Sequence, residues 1–193
     1  MPWEKQFDVD EVLGKAIDAF WCRGFAATSM QDLVERTGVN RASLYATYGD
    51  KRTLFITALK SYDESRRRAL FADLEARCEP KEAIRQLFFA NTAQASRPGE
   101  QRGCFMANTA LELAQHDKEI GAIVAEAQEE MEAFLFRMIE RGKADGKIPE
   151  LLDATTASRS LLASLLGILV LVRSRPEKKL LDDVVAEAMR KLN

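Results

Sequence analysis

TSMQDLVERTGVNRASLYATYGDKRTLF, residues 28–55, lays out two short helices, a tight turn between them, and the start of a third helix. Thr28 offers a cap and Gln31 follows three residues later, the spacing of a capping box. Met30, Leu33, Val34 and Thr37 then share one helical face. Gly38 closes the helix because the turn needs a left-handed residue, and Val39 anchors that turn. Asn40 caps a second helix of roughly Arg41 to Tyr48. Leu44 and Tyr48 lie four apart and face inward, leaving Arg41, Ala42, Ser43, Tyr45, Ala46 and Thr47 on open faces. Gly49 breaks this helix and Asp50 caps the next at Lys51. The layout is that of a helix-turn-helix, whose second helix enters a DNA major groove. A helix bearing Arg, Ser, Thr and Tyr with no acid meets phosphates and base edges without repulsion.

Charge is distributed to match. Residues 36–60 hold Arg36, Arg41, Lys51, Arg52 and Lys60 against Asp50 alone. The preceding residues 1–35 carry seven acids against three bases. The whole chain has a formal net charge of -2, which argues against a general polyanion binder and for a local basic footprint. Ordinary solvated surface would also account for these bases taken alone.

Upstream, Phe7, Asp8 and Glu11 supply a hydrophobic residue, a cap and an acid three later. Val9, Val12, Leu13, Ala16, Ile17, Phe20 and Trp21 form one apolar stripe, and Gly24 and Phe25 end the helix. The segment from Phe7 to about Tyr62 resembles the N-terminal domain of the TetR/AcrR family of transcriptional regulators. The resemblance is carried by GFAATSMQDL, by RTGVNRASLYATYGDKRTLF and by the helix before them. Most relatives have Phe where this chain has Tyr48. The resemblance implies a homodimer whose second domain binds a small molecule that releases DNA, and it favours a repressor. By position it also implies phosphate contacts from Ser29, Tyr45 and Lys51. Arg41, Ala42 and Thr47 would face base edges, with Ser43 in either role. Two recognition helices related by a two-fold axis require an inverted-repeat operator in double-stranded DNA.

The expected fold is all-α. A three-helix helix-turn-helix DNA-binding domain over residues 1–52 precedes a larger helical effector-binding and dimerisation domain over residues 53–193. One long helix is expected from Lys51 to about Cys78, with Arg66, Arg67 and Arg68 on a solvated face. Pro80 opens the next helix, to about Ser96. RPGEQRG, Arg97 to Gly103, reads as a loop, and a short helix follows to about Ala114. Asp117 caps a long helix, with a break from Gly142 to Pro149. Asp153 caps another to about Arg173, and Pro176 opens the last. With a polar, acidic start from Met1 to Asp10, no signal peptide is expected. Three cysteines without metal spacing suit the reducing cytoplasm.

SLLASLLGILVLV, residues 160–172, holds no charge. It is too short to cross a bilayer, which takes about 20 residues, so no membrane partner is expected. A helix apolar on nearly all sides is buried on nearly all sides. One reading places a second copy of the chain against it, through Leu161, Leu165, Ile168, Leu169 and Val172. Val184, Val185 and Met189 of the last helix would complete a four-helix interface. The other reading is a central core helix within one chain.

Aromatic and sulfur side chains concentrate in the middle helices. Phe71, Phe88, Met131 and Phe134, with Asn91, Cys104, Asn108 and His116 as polar groups, are the candidates for an effector pocket. Plain core packing is the alternative for each aromatic. Cys104 follows Arg102 and Gly103 at a helix start, a setting that favours thiolate. RGCFMANTALELA resembles the segment around a sensory cysteine in relatives that respond to electrophiles and oxidants. Cys104 is therefore either a redox sensor or a small packing residue. His116 is the only histidine and has no third ligand in view, so no metal or cofactor is expected. No phosphate loop, HExxH or CxxC occurs, and no enzyme is expected. A helical protein-interaction module without DNA binding is the competing reading.

Overall fold

The computed structural model describes residues 7–97, 99 and 101–193, and its regular structure is helical throughout those residues. The opening residues 1–6 and, in the expected loop, Pro98 and Glu100 lie outside the described residues. Contacts divide the chain into one unit ending at Ser65 and another from Arg66 to Asn193.

In the first unit, α1 (Val9–Arg23) starts on Asp8, whose carboxylate accepts from the Asp10 and Glu11 amides. Helix α2 (Met30–Thr37) and α3 (Arg41–Tyr48) follow, then α4 (Lys51–Tyr62). Phe55 of α4 meets the Phe20 and Phe25 rings edge-on at 5.0 Å each, and Tyr62 meets Trp21 at 5.0 Å. These contacts explain why the unit ends after α4 and not at residue 52. Phe55 and Leu59 complete the core that α1 begins, and both are fully buried.

The chain does not continue as one regular helix to Cys78. Six residues, Asp63–Arg68, form a π-helical turn before α5 (Ala69–Arg77). The expected solvated arginine face is corrected at Arg67, whose side chain is 9% exposed. Its guanidinium lies 5.3 Å from the Phe71 ring centroid and 2.6 Å from Glu130. A wider helical turn re-aims the residues after it, an effect that a run of three arginines does not announce.

The second unit continues with α6 (Pro80–Thr92) and a 3-10 turn (Ala93–Ser96). Helix α7 (Phe105–Glu112), α8 (Lys118–Ala144), α9 (Ala154–Ser174) and α10 (Lys178–Arg190) complete it. Asp117 and Asp153 cap α8 and α9 as expected. Helix α8 runs through Gly142 to Ala144 and does not break at the glycine; a Cβ there would lie 2.6 Å from Ile148, so the glycine lets the returning chain close. Pro176 precedes α10 by two residues, and Glu177 takes the cap position.

One hydrophobic cluster joins α5, α6, α8, α9 and α10. Leu161, Leu165, Ile168 and Val172 are 0% exposed in it. Leu169, Val185 and Met189 are buried as well. This corrects the expected interface, since side chains already removed from solvent have no surface to give a partner. Of the eight residues, Val184 alone stays half-buried. Helix α9 is long and apolar enough to cross a membrane by length and composition, but this face is spent on the core. Its open side carries Leu162, Ala163, Leu166, Gly167 and Val170.

Candidate DNA-binding site

The reading surface is built from the caps outward. Helix α2 begins one residue later than the Thr28–Gln31 pattern suggests. Ser29 is the cap, its hydroxyl accepting from the Asp32 amide at 3.1 Å. Asp32 returns the bond, its carboxylate accepting from the Ser29 amide at 2.7 Å. Thr28 is fully buried and donates its hydroxyl to the Gly24 carbonyl at 2.6 Å, so it closes the preceding turn instead. Arg23 reaches Asp32 at 2.5 Å. Hydrogen bonds from the Ser29 hydroxyl and amide, with Arg23 beside them, lower the Asp32 carboxyl to about 2.

Gly38 adopts φ 74° and donates its amide to Val34, the turn that brings α3 across α2. Val39 is buried in that turn. Asn40 caps α3 by accepting from the Ser43 amide at 2.9 Å. Leu44 and Tyr48 are buried behind the helix. The Tyr48 hydroxyl donates to the Val9 carbonyl at 3.3 Å, tying the end of α3 to the start of α1. Burial, together with the negative charge of Asp10, raises the Tyr48 phenol above its ordinary value.

Arg41, Ala42, Tyr45 and Ala46 share the exposed face of α3, with Tyr45 42% exposed and Thr47 half-buried beside them. Their i, i+1, i+4, i+5 spacing makes a continuous strip. The strip offers a guanidinium, a phenol and two methyl groups, and no acid. Such groups suit base edges, thymine methyls and phosphates. Ser43 falls outside the strip. It is 8% exposed, which corrects its place among the open residues.

Lys51 and Ser29 flank the strip in sequence, but both have local work. The Lys51 ammonium sits 4.2 Å from the Phe25 ring centroid, and the Ser29 hydroxyl belongs to the capping box. The Arg23–Asp32 pair and the Lys51–Phe25 contact were not visible in the sequence. Both cross turns that local spacing does not resolve. Asp50 caps α4 through the Thr53 amide at 2.6 Å, and that bond holds its carboxyl below the ordinary value.

The effector candidates divide. Phe71 and Phe134 stack at 4.4 Å, and Phe88 and Met131 belong to the same cluster. Of the polar candidates, Asn91 shares α6 with Phe88, whereas Asn108 lies on α7. Asn91 donates to its own helix at Leu87, and Asn108 donates to the Arg102 carbonyl. Cys104 is half-buried at the cap position of α7, and its side chain makes no capping bond. His116 is corrected to the surface: the chain turns after Glu112, and the His116 amide donates to Leu113. Gly103, with φ 68°, sits so close to α9 that a Cβ there would lie 2.8 Å from the Leu169 carbonyl oxygen.

A capped unit of helices α1 to α4 with an acid-free strip on α3 defines a helix-turn-helix DNA-binding protein. Comparisons with known proteins give the family. Residues 12–58 match the model for bacterial regulatory proteins of the tetR family, and residues 80–188 match the tetracyclin repressor-like C-terminal domain. The chain is 34% identical over 182 residues to an uncharacterized HTH-type transcriptional regulator, YezE, of Bacillus subtilis (strain 168), covering 94% of each. It is 30% identical over 189 residues to the HTH-type transcriptional repressor ComR of Escherichia coli (strain K12), covering 96% of this chain and 89% of the relative. A cysteine-substituted form of the TetR family regulator CifR, complexed with 26bp double-strand operator DNA, superposes with a TM-score of 0.87. The two are 26% identical over 99% of this chain and 100% of the other. The chain belongs to the TetR family and is a DNA-binding transcriptional regulator.

Proposed function

We propose that this protein is a cytoplasmic repressor that binds an inverted-repeat operator as a homodimer, is released by a small-molecule effector or by modification of Cys104, and catalyses nothing. The observation that carries the proposal is the open, acid-free strip of α3 held from behind by Leu44 and Tyr48. ComR's description as a repressor and the operator DNA bound to CifR support it. In this reading Arg41, Ala42 and Thr47 face base edges. Tyr45 meets phosphate, Lys51 swings from the Phe25 ring to do the same, and Ser29 contributes at the start of α2. Two copies meet through Leu162, Ala163, Leu166, Gly167 and Val170 of α9 and Val184 of α10. A Cβ at Gly167 would meet nothing within 4 Å, which leaves room for a second backbone. The recognition helices then sit about 34–36 Å apart, one turn of DNA.

Fluorescence anisotropy with the DNA upstream of the protein's own coding sequence tests this. Sequence-specific binding that weakens steeply with salt is expected, with protection of two half-sites. Protection of one half-site alone at saturating protein contradicts the dimeric reading.

A further inference from the structure

Ala42 and Ala46 lie four residues apart on the open face of α3, and both are exposed. One helical turn places their methyl groups about 6 Å apart along the axis. Arg41 and Tyr45 precede them by one residue each, so two long polar side chains run beside two bare methyls. The backbone beneath cannot withdraw. Leu44 is 1% and Tyr48 8% exposed, and the Tyr48 hydroxyl ties the end of α3 to the Val9 carbonyl at 3.3 Å.

The two rows meet DNA differently. A guanidinium or a phenol reaches outward and can turn to a phosphate or to a base edge. An alanine methyl has no rotamers and no polar atom, so it touches only what the helix backbone brings to it. In a major groove the apolar group on offer is the thymine methyl, whereas the other bases present polar donors and acceptors there. A long side chain at either position would hold the helix off the groove floor, and an alanine lets it approach. Successive bases are about 3.4 Å apart, so one turn of α3 lying along the groove covers about two base steps.

We infer that Ala42 and Ala46 are specificity-determining residues that read thymine methyl groups, and that each half-site carries two A·T pairs about two steps apart beneath α3. The inference deepens, and rests on, the reading of α3 as the helix that enters the major groove of an inverted-repeat operator. The gain comes from apolar surface removed from water where each alanine meets a thymine.

Selection by the full-length protein from a randomised duplex pool gives an operator. Deoxyuridine then replaces its thymines one at a time, which removes the methyl and leaves base pairing intact. Fluorescence anisotropy should show about fourfold weaker binding at each of two thymines in a half-site. The loss at one should vanish in Ala42→Gly, and the loss at the other in Ala46→Gly. Thymine and deoxyuridine are compared on the same variant, so any general weakening by a helical glycine cancels. Arg41→Ala, which weakens binding through a different contact, should keep both losses. Alanine chosen for helix propensity alone would give no dependence on the methyl. The inference is overturned if no deoxyuridine weakens binding by the wild type, or if the losses persist in both glycine variants. Failure to enrich any sequence overturns it together with the regulator reading, whereas enrichment followed by methyl-blind binding overturns it alone.

Discussion

Gly103→Ala should destabilise the protein well beyond what a left-handed glycine position alone requires. Gly103 has φ 68°, a conformation that costs an alanine about 1–2 kcal/mol. Its new Cβ would also lie 2.8 Å from the Leu169 carbonyl oxygen, closer than real Cβ contacts come. That oxygen is backbone. It belongs to a helix fixed by Leu165, Ile168, Leu169 and Val172, all at most 2% exposed, so it cannot step aside. Overpacking of this kind adds about 1–3 kcal/mol. Gly146→Ala is the matched control, because Gly146 has φ 65° with nothing within 4 Å of its Cβ. The two variants share the conformational cost, and their difference isolates the clash. In a domain of this size that difference corresponds to about 2–12 °C in Tm, read by thermal denaturation at one protein concentration. Equal midpoints for the two variants would refute the claim that α9 is held rigidly against the segment preceding α7.

Asp32 should titrate near 2, and its contribution to stability should be present above the unfolded carboxylate value of 3.8 and fade as pH falls through 2. Carbon-detected NMR of its carboxyl carbon checks this; an ordinary titration would show that the capping box does not persist in solution. Arg41→Ala should relax base preference by about 1–3 kcal/mol at one position of each half-site. Lys51→Ala should weaken all sequences alike and reduce the salt slope by about one, so loss of base preference in Lys51→Ala would reverse the two roles. Val170→Glu, on the open side of α9, should yield monomers by analytical ultracentrifugation, because an unpaired charge would be buried in the interface; an unchanged dimer would move the interface elsewhere.

Caps and breaks made most of the helices legible, because Asp8, Asn40, Asp50, Asp117 and Asp153 each precede an apolar repeat and each accept a backbone amide. The start of α2 slipped by one residue, since Thr28 and Ser29 are both competent caps. Only the fold shows that the Thr28 hydroxyl is drawn back to Gly24. Helix α9 misled for a different reason: with nearly every position apolar, periodicity could not say which face meets the core. The π-helical turn has no local signature, and without it Arg67 reads as one more surface charge. On the recognition helix the pattern was clearer, because Leu44 and Tyr48 fix the inward face and the rest follows from helical geometry. Ser43 was the exception, because Leu44 and Tyr48 alone do not set how wide the buried face is.

The bond from Tyr48 to Val9 spans 39 residues. It can form only after α1, α2 and α3 have all docked, so it registers assembly of the reading unit as a whole. Its phenol is raised above its ordinary value, so the folded unit holds that proton more tightly than the unfolded chain. The resulting stability is complete below the ordinary phenol value and drains away as pH climbs through the raised one. With Tyr45 and Tyr62 replaced by phenylalanine, ultraviolet absorbance of the Tyr48 tyrosinate thus offers an alkaline, label-free clock for the opening of the DNA-reading unit.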